Sequence, residues 1–129
     1  MGKAGMGKCQ TLMIAEPGSM LAAALDSWLV DQGYEVKLVD NMKDALITLQ
    51  SEKVHVLVMD VCLAESMGYE AISIIKGLCR NLPIIVTTDE NNPRMESSIR
   101  QKGIFYYHVK SFGMDELMLA ISNAMTRAG

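Results

Sequence analysis

Five short apolar runs, each closed by a polar or turn residue and each followed by a segment of helical period, constrain this chain more than any other feature. The run Thr11–Ala15 is almost wholly apolar, as expected for a strand covered on both faces, and Pro17-Gly18-Ser19 breaks it, with Ser19 placed to cap the next segment. Leu21, Leu25, Trp28 and Leu29 recur at i, i+4, i+7 and i+8, the stripe of one helix face, and Gly33 suits a left-handed stop. Glu35–Val39 alternates polar with apolar and reads as a half-exposed edge strand; Asn41 and the stripe Ala45, Leu46, Leu49 then begin a second helix. Residues 54–59 are apolar apart from His55 and stop at Asp60, after which a loop leads to a helix carrying Ile72, Ile75 and Leu78. Residues 84–86 form a fourth strand ending at Thr87-Thr88-Asp89. Asn92-Pro93 supplies an N-cap and a proline at N1 for the helix of Met95 and Ile99, which Gly103 ends. Residues 104–109 make the fifth strand, closing at Lys110, and Leu117, Ala120, Ile121 and Ala124 mark the apolar face of a last helix.

A strand–helix unit repeated five times implies an α/β fold, a doubly wound parallel sheet with helices on both faces, because right-handed crossovers leave few other arrangements. The expected organisation is one domain over residues 10–126, a flexible tail over 1–9 and a short C-terminal tail over 127–129. Half of the 129 residues are hydrophobic, enough for a core without metal or disulfide staples. Twelve Lys and Arg against fifteen Asp and Glu leave a net charge of −3, with no basic field for nucleic acid. Cys9, Cys62 and Cys79 are odd in number and lack metal-ligand spacing, which argues for a reducing compartment. Apolar runs far shorter than the ~20 residues of a membrane helix, and an N-terminus without a signal-peptide core, complete the expectation of a cytoplasmic chain.

In doubly wound folds ligands bind beyond the carboxyl ends of the strands. Those ends here carry Glu16, Asp60, Thr88 and Lys110: two carboxylates, a hydroxyl and an ammonium. A carboxylate can attack phosphorus to form an aspartyl phosphate when a lysine and Mg²⁺ neutralise the charge that builds on the equatorial oxygens. Two acids suffice in principle to hold that metal, since waters and phosphate oxygens fill the rest of its octahedron. Thr88 is placed to donate a hydrogen bond to the new phosphoryl group.

This constellation resembles the response-regulator receiver family over residues 10–125. The resemblance is carried by Leu57-Val58-Met59-Asp60 with Gly68 eight residues on, by Pro83-Ile84-Ile85-Val86-Thr87-Thr88, and by Gly103 followed by Tyr107-His108-Val109-Lys110-Ser111-Phe112. It implies the flavodoxin-like, CheY-like strand order 2-1-3-4-5, with Asp60 as phosphoacceptor and Glu16, Asp60 and the Cys62 carbonyl as Mg²⁺ ligands. Thr88 and Tyr107 would be switch residues and Lys110 the phosphate partner. It further implies a signalling domain rather than an enzyme, at most catalysing its own phosphotransfer and dephosphorylation. The partners implied are a sensor histidine kinase or phosphotransfer protein, a downstream effector protein or domain, and a second copy in a homodimer; neither nucleic acid nor membrane is a direct partner.

Departures from the family pattern are informative. Ala15 replaces one acid of the usual pair after the first strand, so Mg²⁺ binding is expected to be weak. Asp89 stands where the family keeps a small residue, and its bulk and charge are expected to hinder a phosphodonor. Ser111 replaces the proline after Lys110, and a cis bond before a non-proline residue costs ~2.5–4 kcal/mol, so the loop is expected to be trans with Lys110 displaced. Ala64 replaces a loop proline. A second reading is therefore a pseudo-receiver, a protein-interaction module that keeps the fold without efficient Mg²⁺-dependent chemistry. A third, a flavin or nucleotide binder, is disfavoured because Pro17-Gly18-Ser19 makes a poor phosphate cradle.

Several residues also have plainer readings. Glu16 reads equally as a solvated loop acid, and Tyr107 as a half-buried aromatic with its hydroxyl in water. His55 and His108 lack a second ligand at metal-binding spacing and read as structural. Cys62 reads as a small hydrophobe rather than a redox sensor, and Met114, Met118 and Met125 as core filler. Residues 2–9 nearly match a phosphate-binding loop, but with Cys9 in place of the hydroxyl, no strand before and no helix after, they read as a tail.

Overall fold

The computed structural model describes residues 9–65 and 69–128. Its elements run β1 (Thr11–Ala15), α1 (Met20–Gln32), β2 (Glu35–Val39), α2 (Met42–Ser51), β3 (Val56–Asp60), α3 (Val61–Glu65), α4 (Glu70–Leu78), β4 (Ile84–Thr88), α5 (Pro93–Arg100), β5 (Tyr106–Val109) and α6 (Asp115–Ala128), with a 3₁₀ turn at Lys110–Phe112. All strands pair parallel in the order β2-β1-β3-β4-β5, the doubly wound arrangement expected.

Alternation along each strand divides the core between the two faces of the sheet. Met13, Leu57, Met59, Ile84, Val86 and Tyr107 pack with Ala45, Leu49, Ile72, Ile75 and Ile99 of α2, α4 and α5. Leu12, Ile14, Val56, Val58 and Ile85 pack on the other side with Leu21, Leu25 and Leu29 of α1 and Leu117, Ile121 and Ala124 of α6. β1, β3 and β4 are buried throughout, whereas β2 keeps the half-exposed pattern of an edge strand. Met125 is buried and Met114 and Met118 pack against the same cluster, in keeping with methionine as core filler.

Helix ends follow their capping residues. The Asn41 side chain accepts from the Asp44 amide at 2.8 Å and that of Asn92 from Met95 at 3.0 Å, with Pro93 opening α5. Gly33 closes α1 at φ 75°, a left-handed conformation that L side chains rarely adopt.

The structure corrects several local expectations. Ser19 makes no side-chain cap on α1; Glu16 does so instead. The segment after Asp60 begins with the short helix α3, in which Ala64 is buried, rather than with a loop. His55 precedes β3 rather than lying within it, and its Nδ1 accepts the Thr11 amide at 2.9 Å, fastening the starts of β1 and β3 together. β5 begins at Tyr106, two residues after the expected start, and α6 continues through Arg127 and Ala128, which were expected to form a tail. Residues 1–8, including nearly all of the phosphate-loop look-alike, and Gly68 lie outside the described residues.

Candidate functional site

Register brings the strand ends into one row. Ile14 lies beside Val58, which places Glu16, just past β1, level with Asp60, and Asp60 lies beside Thr87, which lies beside His108. Thr88 and Lys110 follow one and two positions further along. The chain thus gathers Glu16, Asp60, Thr88 and Lys110 at the carboxyl edge of the sheet, the place expected of ligand-binding residues in such a fold.

Asp60 is only 3% exposed. Its Oδ1 accepts the Cys62 amide at 2.9 Å, so the carboxylate caps α3, and its Oδ2 accepts from Lys110 Nζ at 2.5 Å. Burial alone would push its pKa up; the hydrogen bonds from Lys110 and Cys62 outweigh that and hold it below 3.8. For Lys110, burial acts downward, but the Asp60 carboxylate, aided by Asp89 and Glu16, raises the ammonium above 10.5. No cis peptide bond occurs among the described residues, and Lys110 nonetheless reaches Asp60: the expected displacement of the lysine does not occur, because the turn at Lys110–Phe112 presents the side chain to the strand ends.

Glu16 is 4% exposed, which excludes the solvated loop acid. Its Oε1 accepts the Leu21 amide at 3.3 Å and its Oε2 the Ala22 amide at 3.2 Å, placing a negative charge on the first-turn donors of α1 where the helix dipole favours it. Its own amide donates to Val39 at 3.1 Å, fixing the loop after β1 against β2. Ala15 is fully buried at the end of β1.

Thr88 is buried, and its Oγ1 accepts the Glu90 amide at 3.2 Å, which leaves its proton available to donate. Asp89 is 78% exposed, with Oδ1 3.7 Å from Lys110 Nζ, so a second carboxylate stands at the mouth of the site. Tyr107 is 5% exposed, its ring facing the α5 side with the Arg100 guanidinium 5.9 Å from its centroid. Its hydroxyl is buried without a hydrogen-bond partner among the described residues, so the reading with that hydroxyl in water fails. Burial, then the Glu96 carboxylate, raise its pKa, while the Arg100 guanidinium acts in the other direction.

Two residues beside Asp60 carry more than their sequence positions suggested. Thr87 Oγ1 and both ring nitrogens of His108 are buried without hydrogen-bond partners. His108 lies 6.1 Å from the Tyr106 ring in a stacked arrangement, and burial lowers its pKa below 6.5. Their signal in the sequence was polarity inside otherwise apolar strands; only the register shows that they extend the row of Asp60.

Among the described residues no group of three or more His, Cys, Asp or Glu side chains converges as a metal site. The two acids at the strand ends still have the hard oxygen chemistry that Mg²⁺ takes. Their carboxylate oxygens already accept hydrogen bonds from the α1 amides, Cys62 and Lys110, and a carboxylate has about four lone-pair sites in all, so the donor set fits the ion in kind. Cys62 is exposed and contributes its amide to Asp60.

A family model described as the response regulator receiver domain matches residues 12–122. The transcriptional regulatory protein PcoR of Escherichia coli is 25% identical over 119 residues, which are 92% of this chain and 53% of that protein, so the chain spans about half of its relative's length. A CheY-like receiver domain protein from Methanospirillum hungatei superposes with TM-score 0.82 at 16% identity, covering 94% of this chain and 97% of that one. A response regulator from Burkholderia pseudomallei, determined with a phosphorylated aspartic acid, calcium and citrate, superposes with TM-score 0.76 at 21% identity over 91% of this chain and 69% of that one.

Proposed function

The chain belongs to the response-regulator receiver domain family, and from that premise we propose that Asp60 accepts a phosphoryl group from a histidine kinase or phosphotransfer protein. The observation that carries the reading is the buried Asp60 carboxylate held by the Lys110 ammonium at the end of the central strand. In the step, an Asp60 carboxylate oxygen forms the new P–O bond while the bond from phosphorus to the donor's imidazole nitrogen breaks, and that nitrogen leaves with the electron pair. Lys110 moves from the carboxylate to the phosphoryl oxygens as charge collects there, and the Thr88 proton donates to a third oxygen. When bound, Mg²⁺ supplies the remaining charge neutralisation, held by Glu16, Asp60 and the Cys62 carbonyl. Binding is weak, because Glu16 already serves α1 and Lys110 already neutralises Asp60.

As Thr88 turns toward the phosphoryl group, the space beside the Tyr107 hydroxyl changes, and the surface of α5, β5 and α6 changes with it. That surface is read by an effector protein or domain, or by a second copy of the chain. Such a switch works only if the phosphoryl group interacts differently with the two states. The proposed setting is cytoplasmic. No described helix is long and apolar enough to cross a membrane.

The test is intact-mass detection of phosphorylation with Mg²⁺ and a small-molecule phosphodonor, comparing the chain with Asp60→Asn. A phosphoryl gain on the parent alone supports acceptance at Asp60. No gain on folded protein, with donor and kinase activity verified, supports the pseudo-receiver reading. That second reading draws on the engagement of both Glu16 oxygens by α1 and on the Asp89 carboxylate at the mouth.

A further inference from the structure

We infer that a groove at the amino-terminal edge of the sheet, the end opposite Asp60, is a second ligand site that takes a small molecule carrying clustered phosphate charge. It forms where the connections into β3, β4 and β5 converge with the end of α6, and it encloses about 900 Å³. That is within the size of small-molecule sites, roughly 300–1,000 Å³.

Charge identifies the ligand. Lys53, Lys76, Arg80 and Arg127 line the groove, and none of the four forms an ion pair among the described residues. Ten Lys and Arg fall within the described residues; four are ion-paired, and of the six that are not, these four share one groove. The single carboxylate in the lining, Glu52, is already held by Lys37 at 2.9 Å. In a chain of net charge −3 this is a local reversal of sign.

Basic residues commonly stand at helix C-termini, where they complement the dipole, and Lys76 and Arg127 lie in the last turns of α4 and α6. Lys53 and Arg80 share that explanation only in part. They stand one residue past the caps Glu52 and Cys79, outside the helices themselves, and what the helix ends do not account for is the convergence of all four cations on one groove whose single carboxylate is already paired.

The walls supply more than charge. His55 Nδ1 accepts the Thr11 amide, so the proton of the neutral ring sits on Nε2 as a donor at the groove wall. Burial, with Lys53 close by, lowers the His55 pKa, so the ring acts there as a neutral donor. Phe105, Pro83 and Ile104 give an apolar floor, and the Arg127 guanidinium lies 5.7 Å over the Phe105 ring, where a planar group can stack. Guanidinium and ammonium groups around a concave site match phosphate oxygens. A nucleic-acid polymer fits less well, because the chain as a whole carries a net charge of −3.

The site is independent of phosphoryl acceptance at Asp60, and so is its test. Pyrophosphate is titrated into the full chain in EDTA, monitored by calorimetry and by backbone amide shifts, with ATP and adenosine titrated in parallel. The expected result is saturable pyrophosphate binding, with shifts centred on residues 52–55, 76–83, 103–105 and 127–128. Lys76→Gln with Arg80→Gln should weaken it tenfold or more, with the circular dichroism spectrum unchanged. Lys53→Gln, on an exposed loop, should weaken it severalfold and serves if the double variant does not fold. Tighter binding of ATP than of pyrophosphate would place a nucleoside on Phe105, and equal binding would make phosphate alone the ligand. Absence of saturation, shifts centred on Asp60, or unchanged affinity in the folded variants overturns the inference.

Discussion

Lys110 Nζ sits 2.5 Å from Asp60 Oδ2, joining the end of β5 to the end of β3 across fifty positions of chain. The pair lowers the Asp60 pKa and raises that of Lys110, each against the effect of its own burial. It ties the site's charge state to the stability of the fold.

Removing the lysine leaves a buried carboxylate whose counter-charge is gone and whose remaining donors come from Cys62. Lys110→Ala should lower unfolding stability at neutral pH by about 1.5–3 kcal/mol, the range for a lost hydrogen bond to a charged group. Urea titration would check this, and an unchanged midpoint would mean that the pair contributes nothing net. The pH dependence has two limbs. The folded pKa of Asp60 is below 3.8, so its contribution is present above that value and is lost as pH falls through the folded pKa. That of Lys110 is above 10.5, so its contribution is complete below that value and is lost as pH rises through the raised one. Asp60→Asn should flatten both limbs.

Glu16 caps α1 and Ser19 does not. Glu16→Ala should cost about 0.5–2 kcal/mol, the range for losing an N-cap acceptor, whereas Ser19→Ala should stay within about 0.5 kcal/mol of the parent. Thermal unfolding of the two variants decides the matter, and a larger loss for Ser19→Ala would reverse the assignment. The Glu16→Ala variant should also bind Mg²⁺ more weakly still, measured by calorimetry.

His108 is 1% exposed, and burial lowers its folded pKa despite the raising effect of Glu116. The unfolded chain therefore takes up a proton first, and stability should fall as pH drops below 6.5 toward the lower folded value. His108→Leu should reduce this slope and raise stability at about pH 5.5, with the remaining slope belonging to His55, whose pKa is also lowered. Urea midpoints at about pH 7.5 and 5.5 measure it, either side of the ordinary histidine value; an unaltered slope in the variant would remove His108 from the account.

Asp89 places a charge beside Lys110 at the mouth of the site. Asp89→Ala should speed phosphorylation by a small anionic donor up to about fivefold, since an exposed charge at this range is worth roughly 0–1 kcal/mol. The gain should shrink as salt is added. The rate of phosphoryl mass gain reads this directly, and a slower variant would mean that Asp89 helps to position Lys110.

Much of this molecule is legible in its chain. Strand and helix faces are local properties, because side chains alternate along a strand and recur every 3.6 residues along a helix, and the order of apolar runs therefore determined the α/β class, the edge position of β2 and the two-sided core. Strand ends came out of the same pattern, so Glu16, Asp60, Thr88 and Lys110 stand out as candidates from the sequence alone. What each candidate touches was not legible. The capping of α1 by Glu16 and the short helix α3 that Asp60 itself caps depend on how a loop closes, and the burial of the Tyr107 hydroxyl depends on how α5 packs over β5. The approach of Lys110 to Asp60, the row Asp60–Thr87–His108 and the gathering of Lys53, Lys76, Arg80 and Arg127 at the opposite edge were decided only by the tertiary structure. Pattern is written residue by residue along the chain, whereas register and side-chain approach are set by the packing of segments tens of residues apart.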